Sequence, residues 1–347
     1  MTEKPTGRTG DERGLSLIEV TVVLLLLVLV AAILYELVLG VTRASMFTES
    51  RNDVAAIGQR VVNSIQRELI QSKLVLQENS TGAGYRTLFA NALPAGVSVW
   101  SNSRMPILDS NTSLISPDPG PNSISNRTGN SMIVVRQLTP LAIPYDHDNN
   151  AGTPNINFMA DRYQFQYYFL RQNTSRSFGG FGYYLELMQA KSQTFADYFQ
   201  LSTIPVNGSQ VIMGLRAQSP SITMAWNPGK AVNAPAFYNL NAMGTLMGNF
   251  SPTFSVTTAS MTPEFAGGRI SGKMEYSVGL NASTPLAVSD PIPMYATANA
   301  NFPGGAEFMV VGPAGSRKVL TRLVLVAESM RQISSRESVV ITSARGF

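Results

Sequence analysis

One histidine, no cysteine and twenty-two acidic side chains set narrow limits on the chemistry open to this 347-residue chain. Without cysteine there is no disulfide, no thiolate metal centre and no thiol nucleophile. A serine–histidine relay would have to run through His147 alone, and within one subunit a His-rich metal site is excluded. His147 stands in Asp146-His147-Asp148-Asn149-Asn150-Ala151-Gly152, where Asp146, Asp148 and Asn150 alternate as oxygen donors of the kind a calcium loop presents. The match is incomplete, because the glycine falls one position late and Asn157 stands where an EF-hand carries its bidentate Glu. A solvated polar turn with a surface histidine accounts for the same residues. The sequence thus points to no cofactor and no metal site, calcium at Asp146, Asp148 and Asn150 being the weak alternative. Gly179-Gly180-Phe181-Gly182 lacks the strand, spacing and downstream Lys of a phosphate loop and reads as a turn, and Met243-Gly244-Thr245-Leu246-Met247-Gly248 as core or loop filling.

Glu19 is chemically more pointed, because of where it lies. Val20 to Tyr35 is apolar apart from one Thr, and the hydrophobic stretch extends from Leu15 to Val41. About twenty such residues, rising about 1.5 Å each, cross the ~30 Å hydrocarbon core of a bilayer. A carboxylate inside the edge of that stretch is costly and usually faces a partner. Ala31-Ala32 imitates the end of a secretory signal, but the apolar run continues past it. Glu36 lies near the far interface of the bilayer, where its side chain can reach the headgroups.

Gly14-Leu15-Ser16-Leu17-Ile18-Glu19-Val20 resembles the processing site of type IV prepilins and type II secretion pseudopilins, usually met as G-F-T-L-I-E-V followed by about twenty apolar residues. Leu15 and Ser16 replace the usual Phe and Thr, and the mid-membrane proline of major pilins is missing. The resemblance implies that a membrane aspartic peptidase cuts between Gly14 and Leu15 and methylates the new amine. It implies too that Glu19 meets the amino terminus of a neighbouring subunit during assembly. Cleavage leaves a cation four residues from Glu19 on an otherwise apolar helix, and a charge buried among packed helices is tolerable when paired. Gly14 suits the cut because a backbone without a side chain enters a narrow cleft. The implied partners are other pilin or pseudopilin subunits, the prepilin peptidase, the inner-membrane assembly platform and membrane lipid. In the leader, residues 1 to 14, the charges cancel, but Arg13 and Arg8 beside the apolar run favour a cytoplasmic N-terminus and a periplasmic head in the bacterial inner membrane.

Such a segment needs an element to carry it. No proline occurs between Pro5 and Pro94, and Val54, Ile57, Val61, Ile65 and Leu69 recur at spacings of three and four. The spacing predicts an amphipathic helix to about Leu76, continuous with the apolar one, about 60 residues and about 90 Å long. Gly40 and Gly58 are its flex points. Beyond residue 78, strands are expected at Val97–Trp100, Met132–Gln137, Tyr163–Leu170, Tyr183–Met188, Val211–Leu215, Ile222–Trp226, Met274–Val278, Phe308–Val311, Val319–Ala327 and Val339–Thr342. Arg317 to Arg331 is equally open to a short helix. Residues 101–130 and 140–158 read as long surface loops.

The expected fold is α+β: a long N-terminal helix, membrane-spanning in its first half, packed on a β-rich, pilin-like globular head. Its divisions are a leader at 1–14, a transmembrane and filament-core helix at 15–41, an amphipathic helix at 42–78 and the head at 79–347. A net charge of +4, with no cluster of Lys or Arg, gives no indication of a nucleic-acid surface. The functional expectation is a non-enzymatic minor pilin or minor pseudopilin, structural or assembly-initiating. Its rival is a single-span, membrane-anchored periplasmic binding or enzymatic domain.

Overall fold

The computed structural model describes residues 17–99, 103–108, 129–177, 183–230, 236–261, 275–277, 306–313, 316–329 and 332–344. The architecture is α+β. Helix α1 runs unbroken from Leu17 to Ile70, through both Gly40 and Gly58, in a stretch without proline. There follow β1 (Ser72–Val75), α2 (Ser80–Ala92), β2 (Met132–Tyr145), β3 (Ile156–Ser177), β4 (Tyr183–Asp197), α3 (Tyr198–Ser202), α4 (Gly208–Gln218), β5 (Met224–Trp226), β6 (Phe237–Leu240) and β7 (Leu246–Asn249). The last are β8 (Val256–Ser260), β9 (Glu275–Ser277), β10 (Ala306–Val311), β11 (Arg317–Ser329) and β12 (Gln332–Ala344). Two compact units divide the chain, Met1–Glu49 and Ser50–Phe347, and every strand belongs to the second.

The strands make two sheets. The larger has the order β1-β2-β3-β4-β5-β6-β7 with β8 beside β4, and the smaller has β10-β11-β12 with β9 beside β11. In β3 the side chains alternate between two faces, as the period of a strand requires. Tyr163, Phe165, Tyr167 and Phe169 enter an aromatic core with Tyr85 and Phe89 of α2, Phe195, Trp226, Phe237 and Phe254. Tyr168 and Leu170 point the other way, into a core with Val54, Val61, Val62, Ile65 and Leu69 of α1. That second core also holds Phe308, Val310, Val319, Leu323 and Leu325 of the smaller sheet. The apolar stripe of α1 is therefore buried between two sheets. Gly58 belongs to this seam, since a Cβ there would come within 2.7 Å of the Ser338 hydroxyl on β12.

In the aromatic core, Phe165 lies 5.1 Å from the Trp226 ring and 5.2 Å from the Tyr85 ring, and Trp226 Nε1 donates to the Tyr85 hydroxyl at 2.8 Å. Burial pushes the Tyr85 hydroxyl up to about 12 despite that bond. Tyr167 is likewise raised by burial to about 12. In the unfolded chain both ionise near 10. The folded pKa values being the higher ones, these hydroxyls contribute stability that is complete below pH 10 and lost as pH rises from 10 to 12. Each accounts for about 2–3 kcal/mol at the top of that window. Denaturant melts at pH 9 and pH 11.5 should show this loss, and Tyr85→Phe should make it shallower.

A third cluster joins Leu201 of α3 and Val211, Ile212 and Leu215 of α4 to Ile143, Ala160 and Ala196 at the other end of the larger sheet. Its presence explains two departures from expectation. Val211–Leu215, expected as a strand, lies in α4, because Val211, Ile212 and Leu215 put their apolar groups on one helical face. Residues 140–145 and 156–158, expected in a loop, extend β2 and β3, because Ile143, Phe158 and Ala160 have this cluster to pack against.

Elsewhere, α1 ends at Ile70 rather than near Leu76, and Ser72–Val75 turns back to pair with β2. Val97 to Val99 is irregular, and Trp100 lies outside the described residues. So do Gly179 to Gly182 and the greater part of 101–130. Arg317–Ser329 is a strand, paired on both sides. Gly244 takes φ +77 in the turn between β6 and β7, where a Cβ would meet Ser209 O at 2.5 Å.

Candidate membrane and assembly helix

The first unit owes its character to what α1 exposes. From Leu17 to Val41 its large apolar side chains are exposed on every face, apart from the half-buried Leu39: Leu17 is 86% exposed, Leu25 64% and Val28 65%. None of its most apolar eighteen-residue window is buried, and by length and composition the helix can cross a membrane. Each large side chain left in water forgoes about 1.5–3 kcal/mol. An apolar surroundings is what this circumference fits.

The polar groups of the segment are arranged accordingly. Thr21 Oγ1 donates to Leu17 O at 2.7 Å and Thr42 Oγ1 to Val38 O at 2.8 Å, so these hydroxyls need no water. Between Glu19 and Glu36 no charged side chain occurs, and the two are separated by about 26 Å along the axis. The carboxylates thus bracket an apolar column close to the thickness of a bilayer core. Glu19 occupies the first turn of α1, at the positive end of the helix dipole. Gly14 and Leu15, the expected cut, lie outside the described residues.

The loop at 146–150 belongs to the second unit. It is a staircase of side-chain to backbone bonds: Asp148 N donates to Asp146 Oδ1 at 3.2 Å, Asn150 N to Asp148 Oδ1 at 3.1 Å and Gly152 N to Asn150 Oδ1 at 3.2 Å. Thr153 Oγ1 donates to Asp148 Oδ2 at 2.8 Å and, as the largest cause, holds that carboxyl below its usual range. Asn149 adopts φ 57, and its Oδ1 accepts from Asn207 Nδ2 at 2.6 Å. Asp146, Asp148 and Asn150 each spend an oxygen on the turn itself. Among the described residues no group of three or more His, Asp or Glu gathers as a metal site would require. His147 is half-buried, and among the described residues its Nδ1 has no hydrogen-bond partner.

One cluster was not visible in the sequence. Glu68 lies near the end of α1, off its apolar stripe. In the fold its carboxylate takes Arg136 at 2.8 Å, Gln166 Nε2 at 3.2 Å and Lys191 at 3.6 Å, one partner from each of β2, β3 and β4. Gln166 Oε1 in turn accepts from Tyr168 Oη at 3.0 Å and Gln189 Nε2 at 3.2 Å. The clamp fixes α1 against the larger sheet both along the helix and in rotation. No local signal announces it, because its partners come from strands far along the chain.

Comparison of the chain with protein-family models, with curated proteins and with solved structures finds no match in any of the three.

Proposed function

We propose that this chain is a minor pilin or type II secretion minor pseudopilin: a non-enzymatic, structural or assembly-initiating subunit of a type IV filament machine. The observation that carries the reading is the continuity of α1. One helix, Leu17–Ile70, is apolar and exposed all round in its first part, while Val54 to Leu69 form the core of a folded body. A plain anchor needs only a span and a tether. A filament subunit, in contrast, has a span whose helix goes on into the core of its own head.

On this reading the leader is removed after Gly14, the span lies in the bacterial inner membrane with its N-terminus cytoplasmic, and the head is periplasmic before assembly. The head makes contacts with related subunits, and the prepilin peptidase and the assembly platform act on the helix. Sequencing the N-terminus of the protein purified from its native membrane tests this. A start at Leu15, methylated, is expected; a start at Met1 or just after Ala32 would overturn it in favour of a simple anchor or a secreted domain.

Glu19 gives a second measurement. Glu19→Ala should still be inserted and cut, since the apolar run and Gly14 are intact, yet be incorporated into complexes at least about tenfold less well than the natural chain at equal amounts of processed protein. Without the carboxylate the new amine is an unpaired charge in a low-dielectric bundle, whereas in a free monomer it reaches the interface. Crosslinking to partner subunits reads the difference, and equal incorporation would remove Glu19 from the assembly role.

A further inference from the structure

Of the described non-glycine residues, only Asn149 and Asn207 take a left-handed φ, 57 and 54. They hold each other. Asn207 Nδ2 donates to Asn149 Oδ1 at 2.6 Å and to Asp146 O at 2.8 Å, which ties the loop between β2 and β3 to the start of α4. Asn207 O in turn accepts from Gln210 N at 2.9 Å and Val211 N at 3.4 Å, in the first turn of that helix. The residue that follows is Gly208, and Asn207-Gly208 is the chain's one Asn-Gly pair.

In such a pair an asparagine side chain reacts readily with its own backbone, because glycine leaves the attacking nitrogen unshielded. The Gly208 amide gives its proton to hydroxide and its nitrogen bonds to Asn207 Cγ. The Cγ–Nδ2 bond breaks, and Nδ2 leaves as ammonia with a proton from water. Water then opens the cyclic imide at one carbonyl or the other, giving aspartate or isoaspartate at position 207. Asn207 and Gly208 both keep part of their surface in solvent, so these reagents reach them.

The fold opposes ring closure from two sides. Cyclisation needs Gly208 N on the same side of the Asn207 Cα–C bond as Cβ, but at ψ 30 it lies nearly opposite. Turning it round releases Asn207 O from the first turn of α4 and draws Nδ2 out of its bonds with the loop.

We propose that Asn207 is a deamidation site which its clasp with Asn149 keeps closed, so that conversion follows local opening and is irreversible once made. The product carboxylate has no N–H to offer and faces two acceptors, Asp146 O and Asn149 Oδ1, so the clasp cannot re-form. The inference is independent of the filament reading, because it concerns only the folded second unit.

Peptide mapping by mass spectrometry of the full chain in detergent micelles, aged at mildly alkaline pH, tests it against the same chain aged in denaturant. In denaturant Asn207 should convert ahead of every other asparagine. In the folded chain its conversion should be at least about tenfold slower, because the reaction waits on local opening. Asn149→Gly keeps the left-handed backbone and removes the acceptor, so it should speed conversion in the folded chain at least about threefold, the factor expected from one neutral hydrogen bond. The rate in denaturant and the other asparagines should be unchanged. Equal rates in the folded and denatured chain would overturn the proposal. So would an Asn149→Gly chain that converts no faster, or one in which every asparagine speeds up alike, and failure of Asn207 to lead in denaturant would remove the site.

Discussion

A chain carrying Gly14→Leu is expected to accumulate in the membrane at full length, with mature product reduced about a hundredfold, the penalty typical of a reacting bond misplaced by about 1 Å. On the proposed reading, the scissile bond must enter the peptidase cleft with the backbone close to the catalytic carboxylates. A glycine allows that approach, and a branched four-carbon side chain holds the bond away. Insertion should be unaffected, because the substitution precedes Leu17 and leaves the exposed apolar column of α1 as it is. Immunoblot mobility in cells with the cognate peptidase separates the two forms by fourteen residues, and the membrane fraction reports insertion. Wild-type maturation of the Gly14→Leu chain would remove the leader assignment, and with it the chief support for a filament subunit. The result would leave the membrane span itself standing.

What the sequence disclosed about this protein was local. The long helix was legible because its cause is local, in the absence of proline and the recurrence of Val54, Val61, Ile65 and Leu69 on one face. Strand β3 was legible for the same reason, since Tyr163 to Phe169 alternate by twos and the two faces meet different cores. Val211–Leu215 was misread because a short apolar run suits either element, and the deciding contacts with Ile143 and Ala196 lie far away in sequence. Helix α2 went unseen although Asn79 caps it, accepting from Gly82 N at 2.9 Å; its Gly and Thr content masks the helical period.

The candidate site divides in the same way. Glu19 and the apolar span could be read from the consecutive residues Leu15 to Val41, and α1 places Glu19 in its first turn. Glu68 could not, since nothing beside it indicates Arg136, Gln166 or Lys191. The Asp146 to Asn150 pattern reads from the sequence first as a solvated polar turn, and the side-chain to backbone bonds show how that turn is built. Alternating oxygens suit both a cation and a staircase of Asx turns, and here one oxygen each of Asp146, Asp148 and Asn150 accepts a backbone N–H.

Arg322→Met is expected to lower the stability of the folded body by about 3–5 kcal/mol, whereas Arg86→Met should cost about 1 kcal/mol. Both remove an arginine from a carboxylate, so burial decides the difference. Arg322 Nη1 lies 2.7 Å from Glu307 Oε2, directly across β10 and β11, with the two side chains 3% and 0% exposed. The guanidinium is a buried charge partner of a carboxylate that water does not reach, and the apolar side chain supplied by Met does not replace it. Arg86 and Glu78 are each 28% exposed at 3.1 Å, and Glu78 keeps the backbone N–H of Met105 at 2.7 Å. Its carboxylate can be rehydrated, so the loss is small. Against a total of about 5–15 kcal/mol for a folded domain, the first change is severe and the second nearly silent. Thermal melts should place Arg322→Met on the order of 10 °C below the natural chain, with Arg86→Met within about 4 °C of it. Equal shifts for the two variants would mean that the Glu307–Arg322 pair is hydrated in solution and carries no more than a surface ion pair does.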